Sequence, residues 1–235
     1  MDYFYVHPED IAHSSLTIRD DESKHLVRVL RKEVGDRVFA TDGNDTMYET
    51  ELAVIGKTFT RCDIIAMHRK YHESHIEVTL AVSLLKNPSR FEYLVEKSTE
   101  LGVRTIIPLQ CERTIRHHEK HDRLEKIALS AMKQCGRSWV PRIQPLQSYE
   151  ALVNSAGHWP LKFIPHEKTD PTQTISSEFK HHDDVHSVLI VIGPEGGFSD
   201  PEIDHALQSG FKPLSLGPRR LRVETAAVAV LAQLI

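Results

Sequence analysis

From Val78 onward the chain alternates short, continuously apolar runs with amphipathic helical ones, and that order constrains the fold more than any other feature. The apolar runs are VTLAVSLL, VRTIIPL, LKFIP, SVLIVIG and PLSL; among them lie FEYLVEKSTEL, DRLEKIALSAMKQC, YEALVNS and the closing VETAAVAVLAQLI. Strands that are apolar on both sides must be covered on both faces, which predicts an α/β domain with a mostly parallel sheet between helices. In FEYLVEKSTEL, Phe91, Leu94, Val95, Ser98 and Leu101 share one side, and Gly102 suits a left-handed stop. The closing helix is apolar nearly all round, so it belongs in the core or against a second subunit, the latter making a homodimer.

The first seventy residues have a different rhythm. YFYV, LTI, DRVFATDG, MYETELAVI and FTRCDIIAM read as strands, Asp42-Gly43-Asn44 reads as a hairpin turn, and a small β-barrel is expected. One helical insert, ESKHLVRVLRKE, places Leu26, Val29 and Leu30 on an apolar face and turns Lys24, Arg28, Arg31 and Lys32 outward. The polar junction HRKYHESH then separates a domain at residues 1–72 from one at 73–235.

With 235 residues, a formal net charge of -4 and no signal-like or membrane-length apolar run, the chain reads as soluble and cytoplasmic, with no membrane partner. Cys62, Cys111 and Cys135 form no CxxC pair and are expected to be reduced. Local basic clusters stand out from the acidic total: Arg28, Arg31, Lys32 and Arg37 in one, Arg219, Arg220 and Arg222 in the other. Each fits a solvated face or a nucleic-acid contact. The runs His117, His118, His121 and His181, His182, His186 lie in polar segments without ligand geometry, and no metal is expected.

The stretch VIGPEGGFSDPEI, Val191 to Ile203, leaves an apolar strand with three glycines around Glu195. It lacks GxGxxG and the lysine of a phosphate loop, and a carboxylate there repels phosphate. Ser199 and Glu202 form a capping-box pattern, with Pro201 in the first turn. Two readings stay open: a tight turn, or a wall whose backbone approaches an adenine edge. One strand later SLGPRRLRVETA repeats the arrangement, with Glu224 and Thr225 entering the next helix.

Taken together, HLVRVLRKEVGD, KSTELGVRTIIPL, AMKQCGRSWVPRI, VIGPEGGFSDPEI and LGPRRLRVETA resemble, in order and over nearly the whole chain, the bacterial ribosomal RNA small-subunit methyltransferase E family. That resemblance implies a SPOUT-type trefoil-knotted methyltransferase domain, a small N-terminal PUA-like β-barrel that binds RNA, and a homodimer. It further implies S-adenosyl-L-methionine as donor, S-adenosyl-L-homocysteine as product, and N3 of a uridine in 16S rRNA as acceptor, in the small ribosomal subunit or a late assembly particle. The family's donor-binding positions fall on Ile164, Pro165 and His166; on Ile192, Gly193, Glu195, Gly196 and Gly197; and on Ser215, Leu216, Gly217, Leu221 and Arg222. Arg220 stands where the family has an aliphatic residue. A different RNA site, or a catalytically silent RNA-binding assembly protein, remains the alternative.

Methyl transfer to an imide nitrogen calls for proximity and for cations that stabilise charge on uracil O2 and O4. Candidates are Arg222, and Arg137 with Gln134, although Arg137 also reads as a helix-end cation. Glu195 or Glu224 could take the proton, as could water, and each glutamate has a structural alternative in backbone ordering or helix-start electrostatics. Arg28, Arg31, Lys32, Arg37, Arg219 and Arg220 are the candidate RNA contacts.

Overall fold

The computed structural model describes residues 2–179 and 185–234. It divides into two compact units, Met1–Glu73 with Met132–Val140, and Ser74–Ala131 with Pro141–Ile235.

The first unit contains β1 (Tyr3–Tyr5), β2 (Ser15–Arg19), α1 (Asp20–Lys24), β3 (Arg37–Thr41), β4 (Thr46–Ile55) and β5 (Phe59–Arg69). Its sheet runs β1-β3-β4-β5-β2, antiparallel except where β1 meets β3, and the pairing follows an open path rather than a closed ring. Bulges at Glu49/Thr50 and Leu52/Val54 bend the long β4–β5 ribbon. Phe4, Leu16, Ile18, Leu26, Val38 and Cys62 fill the core. Gly43 has φ 69° in the β3–β4 turn, and the Asn44 amide donates to the Asp42 carboxylate at 2.8 Å.

The helical insert departs from expectation. After α1 the chain makes a π turn over His25–Val29, with the Leu30 amide bonded to the His25 carbonyl. The wider turn shifts the register, so Leu26 is buried with Val27 and Leu30 packed beside it, while Val29 is 64% exposed.

The second unit contains β6 (Glu77–Ser83), α2 (Pro88–Glu100), β7 (Thr105–Gln110), most of α3 (His121–Cys135), β8 (Arg142–Ile143), β9 (Gln147–Ser148), α4 (Tyr149–Ser155), β10 (Leu161–Pro165), α5 (Ile175–Phe179), β11 (Ser187–Ile192), α6 (Asp200–Gln208), β12 (Lys212–Leu214) and α7 (Val223–Leu231). All pairs in its sheet are parallel, in the order β12-β10-β11-β6-β7-β8, with β9 also on β7.

Strand alternation sends Val188, Ile190 and Ile192 of β11 to one face and Leu189 and Val191 to the other. Phe91, Leu94 and Val95 of α2 and Ala227, Val230 and Leu231 of α7 cover the first face; Tyr149, Leu152 and Val153 of α4 and Ala206 of α6 cover the second. Burying each large apolar side chain contributes about 1.5–3 kcal/mol. The closing helix thus buries one side in its own core, while Ala232 and Gln233 just after it are exposed. Asn87 caps α2 and Gly102, at φ 85°, follows it. Among the described residues no helix is long and apolar enough to cross a membrane.

Candidate active site

Because the sheet is parallel, the loops after β12, β10, β11 and β6 leave the same edge. The chain runs outward from β6 through β7 to β8 and later returns to place β11 against β6's other side, so β6 and β11 form the seam where ligands of such sheets bind.

The glycine loop after β11 is held from below. Gly193 and Pro194 are buried, whereas Glu195, Gly196 and Gly197 face outward, Gly197 at φ 70°. A methyl group on Gly193 would lie 3.0 Å from the Phe198 ring, but one on Gly197 would meet open space. The capping box forms as expected: Ser199 Oγ accepts from the Glu202 amide, and Glu202 Oε2 accepts from the Ser199 amide at 2.8 Å. Glu202 Oε1 also accepts from the Glu112 amide at 2.9 Å. From that same loop after β7, Arg113 Nη1 donates to the Gly196 carbonyl at 2.9 Å and the Phe198 carbonyl at 3.3 Å. The loop's carbonyls are therefore aimed by an arginine that sequence patterning did not single out.

Next to it, the loops after β10 and β12 are tied together. The His166 amide donates to the Leu214 carbonyl at 3.1 Å, and the Ser215 amide to the Gln173 carbonyl at 2.8 Å. Ile164 is buried, and Pro165, His166, Ser215, Leu216 and Leu221 are half-buried. Gly217 turns at φ 95°, and its amide reaches Ser215 Oγ at 3.3 Å. Arg222 is the exposed residue that opens α7.

Arg90, also unmarked in the sequence reading, stands at the seam. Its Nε and Nη2 donate to Glu224 Oε1 and Oε2 at 2.9 and 2.6 Å, and its Nη1 lies 3.6 Å from Glu195 Oε1. Burial pushes the Glu224 carboxyl up, but the Arg90 hydrogen bonds, a bond from its own backbone amide and the Arg90 and Arg222 charges together outweigh it and hold it below the usual carboxylate range. Glu195 Oε1 also accepts from the Lys86 amide at 3.2 Å. Both glutamates are thus engaged in ordering the loops, the structural alternative to a proton-accepting role. Arg90, Glu195, Lys86, Asn87 and Ile115 line an open groove of about 610 Å³. The sequence did carry one signal: an arginine at the third position of α2 sits at the helix end that disfavours cations, and so demands a partner.

The RNA methyltransferase domain family model matches residues 72–235, and the RNA methyltransferase PUA domain model matches residues 18–65. The ribosomal RNA small-subunit methyltransferase E of Synechocystis sp. is 31% identical over 97% of this chain and 75% of its own length. The chain belongs to the ribosomal RNA small-subunit methyltransferase E family. The Bacillus subtilis member is 29% identical, covering 93% of this chain and 88% of its own. The crystal structure of the Neisseria gonorrhoeae member, bound to S-adenosylmethionine, superposes with a TM-score of 0.84 at 28% identity, covering 99% of this chain and 96% of that one.

Measured against the family's pattern, Arg220 is 82% exposed and lies 3.6 Å from Glu167, so its charge is solvated rather than packed. Arg219 is likewise exposed. Arg137 and Gln134, the other catalytic candidates, belong to the first unit. Gln134 is exposed. Arg137 is instead buried with Glu73, Nη2 to Oε2 at 2.6 Å, and Glu73 Oε1 accepts from the Ser138 and Trp139 amides at 3.1 Å. The guanidinium thus holds the Met132–Val140 segment through Glu73, a structural partner beyond the helix-end setting expected from sequence.

In the same unit Arg28 and Arg31 are exposed, Arg31 at φ 55°, while Lys32 is 3.4 Å from Asp2 and Arg37 3.3 Å from Glu49. Among the described residues no group of three His, Cys, Asp or Glu is placed to hold a metal; His181 and His182 lie outside those residues.

Proposed function

We propose that the chain methylates N3 of a uridine in 16S rRNA of the small ribosomal subunit, using S-adenosyl-L-methionine. The observation that carries this is the convergence of three loops at one sheet edge, after β10, β11 and β12, in a member of this family.

The residues present fit the donor: outward-facing backbone at Glu195 to Gly197 admits a flat adenine edge, and Gly197 leaves space where a side chain would stand. Pro165 and His166 form a second wall over the buried Ile164, and Ser215, Leu216, Gly217 and Leu221 a third, with Ile192 and Gly193 as the base of the first. When bound, the donor supplies an activated methyl group on a cationic sulfur. In this reading the stabilisation of negative charge spreading onto uracil O2 and O4 falls to Arg222, exposed at the start of α7. With both glutamates engaged by Arg90 and the Lys86 amide, the imide proton goes to solvent.

The N-terminal domain, residues 1–72, supplies phosphate contacts through Arg28, Arg31, Lys32 and Arg37, and Arg219 and Arg220 extend the RNA surface of the domain at 73–235. A C-terminal trefoil knot, a homodimer and a cytoplasmic location complete the reading. Mass-spectrometric mapping of 16S rRNA from a deletion strain, before and after adding protein and donor, tests it. A new N3-methyluridine is expected; an unchanged map overturns the assignment.

A further inference from the structure

Resting on the reading that the two glycine loops hold the methyl donor, we propose that Arg90 is the positioning residue that ties those loops into one wall. β11 and β12 are not neighbours, because β10 lies between them, so no sheet ladder fixes the spacing of the loops that follow them. Arg90 spans that gap from a third element. Its Nε and Nη2 grip Glu224 at the start of α7, and Nη1 faces Glu195 in the middle of the β11 loop. α2 itself is anchored in the core by Phe91, Leu94 and Val95, which makes the guanidinium a fixed post.

The charges explain why the residue matters to a ligand and not only to the fold. Two carboxylates face one cation; remove it and like charges confront each other between the β11 loop and the start of α7, with Arg222 acting on Glu224 and Lys86 in the same groove as the nearby cations. The β11 loop then loses its tie to α7. Glu195 keeps its Lys86 amide, and the loop keeps Arg113, so the expected result is a displaced wall rather than an unfolded one.

Titration calorimetry with S-adenosyl-L-homocysteine, paired with thermal melts, tests this on the full chain. Arg90→Met is expected to weaken binding by about tenfold to a hundredfold, the scale of a lost charge-assisted hydrogen-bonded pair. Arg90→Lys restores part of it, and the KM for donor rises in Arg90→Met while the KM for RNA does not. The double variant Arg90→Met with Glu224→Gln removes the uncompensated buried charge, so its melting temperature recovers while its donor affinity stays low. Wild-type affinity in that double variant would reduce the pair to charge neutralisation and overturn the inference alone. Absence of binding by the unmodified protein would overturn the proposed function and this inference with it.

Discussion

Arg90 on α2 and Glu224 on α7 meet in a two-point pair, at 2.9 and 2.6 Å, across 134 residues of chain. The Glu224 side chain is 11% exposed and that of Arg90 28%, so solvent screens the pair only in part and the fork geometry can be held.

The pair sets an acid limit on stability. Glu224's folded pKa lies below its unfolded one, so the contribution is complete above about pH 4.3, the ordinary glutamate value, and is lost as pH falls through the folded value. Glu224→Gln is expected to cost about 1–2 kcal/mol at neutral pH and to lose less stability on going to acid. Melting temperature against pH for both proteins checks this; parallel curves would remove Glu224 from the acid transition.

Two glycines of one loop should respond oppositely. A side chain at Gly193 meets the Phe198 ring at 3.0 Å, so Gly193→Ala is expected to destabilise by about 1–3 kcal/mol. At Gly196 the nearest atom to an added Cβ is Arg113 Cδ at 3.5 Å, an ordinary contact, so Gly196→Ala keeps its melting temperature, and Gly196→Val, whose γ-methyls reach further outward, loses donor binding. Melts and calorimetry on these variants separate the outcomes, and normal donor affinity in Gly196→Val contradicts the loop assignment.

Breaking the Arg137–Glu73 pair should act through the fold. Both side chains are at most 3% exposed, and Arg137→Ala is expected to cost about 3–5 kcal/mol. Denaturant unfolding measures this directly; undiminished stability with lost turnover would assign Arg137 to the chemistry instead.

Charge reversal at Arg28 and Arg31, both exposed, is expected to weaken RNA binding and leave donor binding unchanged. The slope of log affinity against log salt should flatten by about 0.7–0.9 for each phosphate contact removed. Filter binding across a salt series would show it, and an unaltered slope would assign both residues to a solvated face.

Thiol reactivity should follow burial. Desolvation pushes the Cys62 thiol up to about 11, and desolvation with the nearby Glu202 charge pushes Cys111 up to about 12, so neither holds appreciable thiolate at neutral pH. Cys135 is only partly buried and is expected to alkylate first. Peptide mapping after brief iodoacetamide exposure orders the three; prior modification of Cys111 would contradict its enclosure.

Much of this protein was legible in its residues. Continuous apolar runs at β6, β7, β10 and β11 required a sheet covered on both faces, and SDPE required a cap, because period and capping depend on residues only two to four apart. Even there a local subtlety escaped: the π turn at His25–Val29 moved Val29 outward, which a 3.6-residue period does not anticipate. The family's loops could be recognised by motif, yet motif alone left Arg90 and Arg113 unremarked and did not show the Glu73 partner of Arg137. Tertiary structure decided those matters. Strand order brought the loops after β10, β11 and β12 to one edge and set Arg90 between Glu195 and Glu224, while Glu73 and Arg137 meet from two segments outside the strands. A charge's role depends on which opposite charge and how much water surround it, and both are fixed by distant chain segments that only tertiary packing brings together.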